Sequence, residues 1–164
     1  MSVQKKSHCM GRKFKISDLN SIKQITHSLH PKWFTEEALE NIPRDIHFSR
    51  CFVAEENEQI TGFISVCSHD GKPMIGWLGV KPELRGEGIG RLLLEKVEKE
   101  LKKWGYKDLR VETVGKCTPE YKPYAETLSF YRSAEFKIEK RGRLRHDMGH
   151  KWRYSTLRKK LLST

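Results

Sequence analysis

The stretch LGVKPELRGEGIGRLLLEKVEKEL, Leu78 to Leu101, places three glycines (Gly86, Gly88, Gly90) and two arginines (Arg85, Arg91) between two differently patterned segments. Before them, MIGWLGV reads as a strand. After them, Ile89, Leu93, Val97, Leu101 and Trp104 recur at helical spacing, with Glu95, Lys99, Lys102 and Lys103 filling the opposite side. Gly105 closes that helix as a C-terminal cap. Glycines between a strand and a helix can be a tight turn or a phosphate cradle. A dinucleotide fingerprint needs G-x-G-x-x-G and a Walker loop needs G-x-x-x-x-G-K-[ST]; R-G-E-G-I-G-R satisfies neither. It does satisfy R-x-x-G-x-G at Arg85, Gly88 and Gly90. Glycines leave backbone N–H groups uncovered, and a helix start adds roughly half a positive charge, so a diphosphate fits such a loop.

Working outward, the period changes to two from Cys51: CFVAEE, ITGFISVCS and MIGWLGV, separated by turns at Glu56-Asn57-Glu58 and at Asp70-Gly71-Lys72-Pro73. These are three strands in a meander. Upstream, FKI (Phe14 to Ile16) reads as a short strand. Asp18 then caps a helix carrying Leu19, Ile22, Ile25 and Leu29, which stops at His30-Pro31. Thr35 caps a second helix, with Glu36 and Glu37 in its first turn, expected to end before Pro43. Downstream of the long helix, LRVETV is a strand that makes a strand-helix-strand unit and hence a parallel pairing. A helix around Ala125 to Arg132 and two late strands, FKIEKRGR and KWRYSTLRKKL, complete the chain. The order β-α-α-β-β-β-α-β-α-β-β describes a mixed sheet with helices on both faces, in the α/β or α+β class.

At 164 residues and 37% hydrophobic, the chain suits one compact domain. We read residues 1–12 as a disordered basic N-terminus and 13–164 as a single domain. No run approaches the ~20 apolar residues of a membrane span, and the start lacks a secretory apolar segment, so a cytoplasmic protein is expected. The four cysteines are widely spaced, which suggests neither a disulfide framework nor a zinc site. The net charge of +11 is dense at the amino end and after Lys137; it reads either as solvated surface or as attraction for nucleic acid, an acidic partner or a phosphate-rich cofactor.

The glycine loop, preceded by Leu78-Gly79-Val80-Lys81-Pro82 and followed downstream by SFYRSAEF, resembles motif A and the later helix of the GNAT superfamily of acetyl-CoA-dependent N-acetyltransferases. The similarity runs in order over nearly the whole chain from Phe14. It implies transfer of acetyl from acetyl-CoA, as donor substrate and without a metal, to a primary amine of a small molecule or peptide by direct attack in a ternary complex. It also implies that Arg85, Gly86, Glu87, Gly88, Ile89, Gly90 and Arg91 hold the diphosphate through main-chain N–H groups. Leu78, Gly79 and Val80 would run beside the pantetheine arm, the N–H of Leu78 polarising the thioester carbonyl. Tyr131 falls where the family often has a tyrosine that protonates the leaving sulfur; the alternative is that it packs the helix on the sheet.

Against the family pattern N-x-x-A-x-x-L-Y-x-x-x-G-F, this chain has Tyr124 for the Asn, Thr127 for the Ala and Glu135 for the Gly. Tyr124 could touch the pantetheine arm or the acceptor, but not as an amide would, and Glu135 stands where a left-handed residue is usual. In some relatives a glutamate on the strand before motif A is the base, but Met74 holds that place here. Glu112 is the best remaining carboxylate, either as a base acting directly or through water, or as an exposed strand glutamate. Trp33 and Phe34 beside Glu36, Glu37 and Glu40 read as an aromatic and acidic wall for a cationic amine, or as core anchors next to helix-start glutamates. His146-Asp147-Met148-Gly149-His150 lacks a third metal ligand nearby. A second function class, a coenzyme A-binding regulatory or nucleic-acid-associated module without turnover, fits the charge. Monomer and homodimer both remain open, because the fold leaves a sheet edge exposed.

Overall fold

In the computed structural model, residues 8–118, 122–147 and 150–162 are described. The elements follow the expected order: β1 (Met10–Lys13), α1 (Leu19–Leu29), α2 (Glu36–Asp45), β2 (Arg50–Glu56), β3 (Gln59–His69), β4 (Lys72–Val80), α3 (Ile89–Lys103), β5 (Asp108–Thr118), α4 (Lys122–Ser133), β6 (Lys137–Asp147) and β7 (His150–Lys160). The strands form one mixed sheet in the order β1-β2-β3-β4-β5-β7-β6. β4 and β5 run parallel, as a strand-helix-strand unit requires. By internal contacts the chain divides into a unit ending at Ser65 that also takes in Trp77–Val97, and a unit of Val66–Gly76 and Glu98–Thr164.

In the first unit, α1 and α2 bury Ile22, Ile25, Leu29, Ala38 and Ile42 against Val53 of β2 and Ile60 and Phe63 of β3. Phe63 and Leu29 meet at Gly79: a Cβ there would lie 2.6 Å from the Phe63 ring and 3.1 Å from Leu29. The opposite side of the sheet takes α3, since Gly62 backs onto Ile89 and Leu93. Two-residue reversals join the hairpins, with Asn57 and Glu58 at φ 50° and 63° and Asp70 and Gly71 at φ 50° and 74°. A left-handed pair matches the twist of the flanking strands.

Three details differ from expectation. The first strand is Met10–Lys13 and not Phe14 to Ile16, so Met10 to Arg12 belong to the sheet; residues 1–7 lie outside the described residues. What decides this is a side-chain network that alternation does not reveal. The Arg12 guanidinium forks onto Asp18 (2.9 Å on both bonds) and reaches Glu55 at 2.9 Å, tying β1 to β2 and to the start of α1. Second, α2 runs through Pro43 to Asp45. Pro43 removes one N–H near the helix end, and the burial of Ile42 and Ile46 on either side keeps that turn in place. Third, Trp104 does not share the buried face of α3; it is 44% exposed, while Ile89, Leu93, Val97 and Leu101 are buried.

The second unit buries Leu109 and Val111 of β5 and Leu157 of β7, together with Tyr131 in the last turn of α4 and Ala134 and Phe136 just after it. Lys159 of β7 pairs with Glu98 at 2.7 Å and approaches Glu135 at 3.8 Å. Glu135 has φ 72°, so the helix end is left-handed although the residue is not glycine.

Asp18 is buried, which opposes its ionisation, but the hydrogen bonds from Arg12 and from the Lys15 N–H outweigh burial and hold its carboxyl below the usual range. A depressed native pKa means this stability is present above the unfolded-state pKa near ~4 and is lost as pH falls through the native value. Asp18→Asn should therefore cost about 1–3 kcal/mol at pH 7. In urea melts, the gap from wild type should close below about pH 4; a pH-independent gap would contradict the charge-based account. Glu135→Gly should raise stability by about 1 kcal/mol by removing left-handed strain, the exposed ion pair to Lys159 contributing little. Glu135→Ala, which keeps the Cβ, should not.

Candidate active site

The loop after β4 is built in three steps. Lys81 N–H donates to Thr61 O at 2.9 Å, fixing the end of β4 against β3. Pro82–Leu84 then make a short 3-10 turn, with Leu84 N–H bonded to Lys81 O and Arg85 N–H to Pro82 O. Gly86 (φ 82°) and Gly88 (φ 87°) reverse the chain, and α3 starts at Ile89, with Leu92 N–H donating to Gly88 O at 3.0 Å. The amides of the first helical turn, at Ile89, Gly90 and Arg91, consequently precede the intrahelical ladder. Arg85, Gly86, Glu87, Gly88 and Arg91 are exposed, Gly90 is half-buried and Ile89 is anchored in the core.

A Cβ built at Gly86 or Gly88 would meet nothing within 4 Å. The glycines are therefore required by their left-handed φ, and the space in front of the loop is open. An uncovered backbone at a helix start, flanked by two arginines, fits a diphosphate. Leu78 is half-buried, while Gly79 and Val80 are buried. Gly79 is the exception among these glycines, because Phe63 fills the place of its side chain.

Trp33 departs from the acceptor-wall reading. Its ring already lies under two of the chain's own cations, Lys32 Nζ at 4.3 Å and the Arg85 guanidinium at 4.1 Å from the centroid. Phe34 packs edge-on against Trp77 at 5.9 Å, and Trp77 Nε1 donates to Asp45 at 2.8 Å. Both aromatic residues pack on the core of the first unit. Glu36, Glu37 and Glu40 are exposed, with Glu36 3.4 Å from His30. The Arg85 to Trp33 contact spans 52 positions and has no signal in the sequence.

The remaining predicted residues lie in the second unit. Tyr124 and Tyr131 stand seven positions apart on α4, which puts them on one face of the helix. Tyr131 is 4% exposed, edge-on to Phe130 (5.2 Å) and Phe136 (5.4 Å). Burial alone pushes its phenol well above the ordinary range, so it stays protonated across the physiological interval. Tyr124 is half-buried. Thr127, at the family's alanine position, bonds its hydroxyl back to Pro123 O at 3.0 Å and so stays within the helix. Glu112 is exposed on β5, opposite Thr156 of β7. It shares its side of the strand with Arg110, whose guanidinium grips Glu139 at 2.8 and 3.2 Å. Among the described residues, no group of three or more His, Cys, Asp or Glu side chains is placed to hold a metal, and no helix is long and apolar enough to cross a membrane. Residues 148 and 149, between the two histidines of the late hairpin, lie outside the described residues.

Comparison with known proteins bears on the fold and the family. A search of curated proteins finds no sequence match. Among solved structures, the chain is similar to a GNAT-family protein from Desulfovibrio desulfuricans (TM-score 0.80, 22% identity, 94% of this chain and 100% of that one). It is also similar to the ribosomal-protein-S18-alanine N-acetyltransferase of Escherichia coli (TM-score 0.75, 18% identity, 96% of each chain). A third is the PaiA N-acetyltransferase of Thermoplasma acidophilum, solved with coenzyme A (TM-score 0.71, 22% identity, 93% of this chain and 99% of that one). At these identities the likeness is one of fold. The family description "Acetyltransferase (GNAT) domain" matches residues 47–138, more than half of the chain and the whole of the glycine loop. The chain belongs to the GNAT acetyltransferases.

Proposed function

We propose that the protein is an acetyl-CoA-dependent N-acetyltransferase acting on a primary amine of a small molecule or peptide, by direct attack in a ternary complex. The observation that carries this reading is the left-handed glycine pair at the mouth of α3, with open space before it. In this scheme the amides from Gly86 to Arg91 hold the diphosphate of the donor, helped by the Arg85 and Arg91 charges. The backbone of Leu78, Gly79 and Val80 aligns the pantetheine arm, and the Leu78 N–H stabilises charge on the thioester oxygen. Gly79 matters indirectly, since its tight seat on Phe63 fixes where that backbone lies.

Tyr131 supplies the proton for the leaving sulfur as the C–N bond forms and the C–S bond breaks. Its elevated pKa makes it a hydrogen-bond donor at every pH at which the protein works, and a weak one until charge develops on the sulfur. Glu112, directly or through water, takes the proton released by the acceptor nitrogen, and that proton returns to the solvent. Tyr124 lines the cofactor arm from the same face of α4. A soluble amine near pKa ~10 is mostly charged at pH 7, so the rate should rise with pH until the acceptor itself is neutral.

Amine-dependent consumption of acetyl-CoA, measured over a panel of peptides and small amines, checks the assignment. Tyr131→Phe should lower kcat by about 10²–10⁴ with little change in the KM for acetyl-CoA. The pH profile of the wild type should show no alkaline fall assignable to Tyr131 below about pH 10, because burial keeps the phenol protonated there. Gly88→Ala should do the opposite of the tyrosine change. It strains the left-handed turn by about 1–2 kcal/mol and should raise the KM for acetyl-CoA by about 5–30-fold with a smaller effect on kcat. Binding of coenzyme A with no turnover on any amine would instead favour a regulatory module.

A further inference from the structure

The charge of this chain is concentrated in one hairpin. Residues 137–160 carry ten Lys or Arg against two Asp or Glu, a net +8 of the total +11. Within that stretch, Lys137–Asp147 form β6 and His150–Lys160 form β7. Near the start of β5 the cations are matched: Arg110 and Arg158 share Glu139, and Arg158 also approaches Asp108 at 3.8 Å. Farther along β6, Lys140, Arg141, Arg143 and Arg145 are all exposed, and among the described residues none of the four is in an ion pair. Crowding of like charge on one strand opposes folding, and a polyanion would relieve it.

The register places aromatic groups among these cations. Arg145 stands opposite Trp152 and Lys140 opposite Thr156, so Trp152, Tyr154 and Thr156 line one face of β7 together with both basic residues. The Trp152 and Tyr154 rings are 4.9 Å apart and tilted at 54°, and the Arg145 guanidinium lies 5.3 Å from the Tyr154 centroid. Both rings are half-buried. Neither belongs to the packed core, and the same face carries exposed Glu112 and Lys140.

We propose that this face of the β5-β7-β6 sheet binds single-stranded nucleic acid, the β6 cations meeting phosphates while Trp152 and Tyr154 stack on unpaired bases. An acidic protein would satisfy the cations, but it offers a planar group only where an aromatic or guanidinium side chain lies beside its carboxylates, whereas every nucleotide carries both. A duplex offers phosphates but keeps its base faces stacked inside. A single strand supplies both, which is the combination of basic groove and aromatic platform that such sites use. The proposal goes beyond acetyl transfer and does not depend on it.

The test is fluorescence anisotropy with labelled U16 RNA and dT16 DNA, read at several salt concentrations, on the intact chain. Both strands should bind in the range of about 1–100 µM at 100 mM salt, with the log of affinity falling linearly as the log of salt rises. The triple change Lys140→Glu, Arg143→Glu, Arg145→Glu should weaken binding more than tenfold and flatten the salt slope by about 2. Trp152→Ala should weaken it about fivefold or more while leaving the slope unchanged. Circular dichroism melting guards against misfolding, and Trp152→Phe, which keeps a stacking ring, should retain most of the affinity. No binding by the wild type would overturn the proposal. So would equal binding by the folded triple variant, or a blunt-ended duplex binding as tightly as the single strands with Trp152→Ala having no effect.

Discussion

The passage from β4 into α3 runs through two left-handed glycines, Gly86 at φ 82° and Gly88 at φ 87°. That conformation is open to glycine at little cost and to other residues only with strain. Because the chain reverses there, the 3-10 turn of Pro82–Leu84 can end on Arg85 while Ile89 drops directly into the core as the first residue of α3. Move either glycine and the helix start no longer faces the open space that the loop surrounds. Upstream of the turn, Gly79 of β4 is pressed onto Phe63, so that strand has no room for a side chain there. In the proposed function, backbone geometry more than side-chain chemistry is what the first unit offers to a diphosphate and a strand-like ligand arm.

Side chains contribute most in the second unit. Tyr131 is held among Phe130 and Phe136, where burial keeps it protonated, and Glu135 accepts a left-handed φ at the helix end. The family's usual glycine at that point would avoid the strain. Lys159 draws Glu135 and Glu98 toward one centre, so the strained residue also has an electrostatic partner. Strain of this kind persists when neighbours over-determine the backbone, and the close packing of Ala134 and Phe136 on either side does that here.

The parts of the fold that rest on period and on turn chemistry were legible in the sequence. The meander from Cys51, the caps at Thr35 and Gly105, the long helix after Gly88 and the parallel return at Leu109 all follow from local rules that burial reinforces. What was not legible depends on partners far apart in the chain. β1 is fixed by Arg12 reaching Asp18 and Glu55, so a polar MGRK segment outranks the more hydrophobic FKI. Trp33 reads from the sequence as either an acceptor wall or a core anchor, and only the Arg85 guanidinium over its ring, 52 positions away, shows that the chain's own cation occupies it. Pro43 signalled a helix end, but burial of the residues around it carried the helix one turn farther. For the proposed site, the glycine spacing marks the loop between β4 and α3 as a backbone that turns left-handed and stays open, whereas the acceptor side has no comparable motif because its residues are chosen by a substrate and not by the fold.

A thermal melt with coenzyme A tests most directly the proposed role of the Arg85 to Arg91 loop as a coenzyme A diphosphate site. At a concentration about 100-fold above the dissociation constant, a ligand that binds only the folded chain adds about 2.7 kcal/mol, which should raise Tm by several degrees in a chain of this length. At the same concentration the shift should fall to roughly one to two thirds of its wild-type size in Gly88→Ala, as an affinity about 5–30-fold weaker requires. A melt of the wild type unmoved by millimolar coenzyme A would contradict the account.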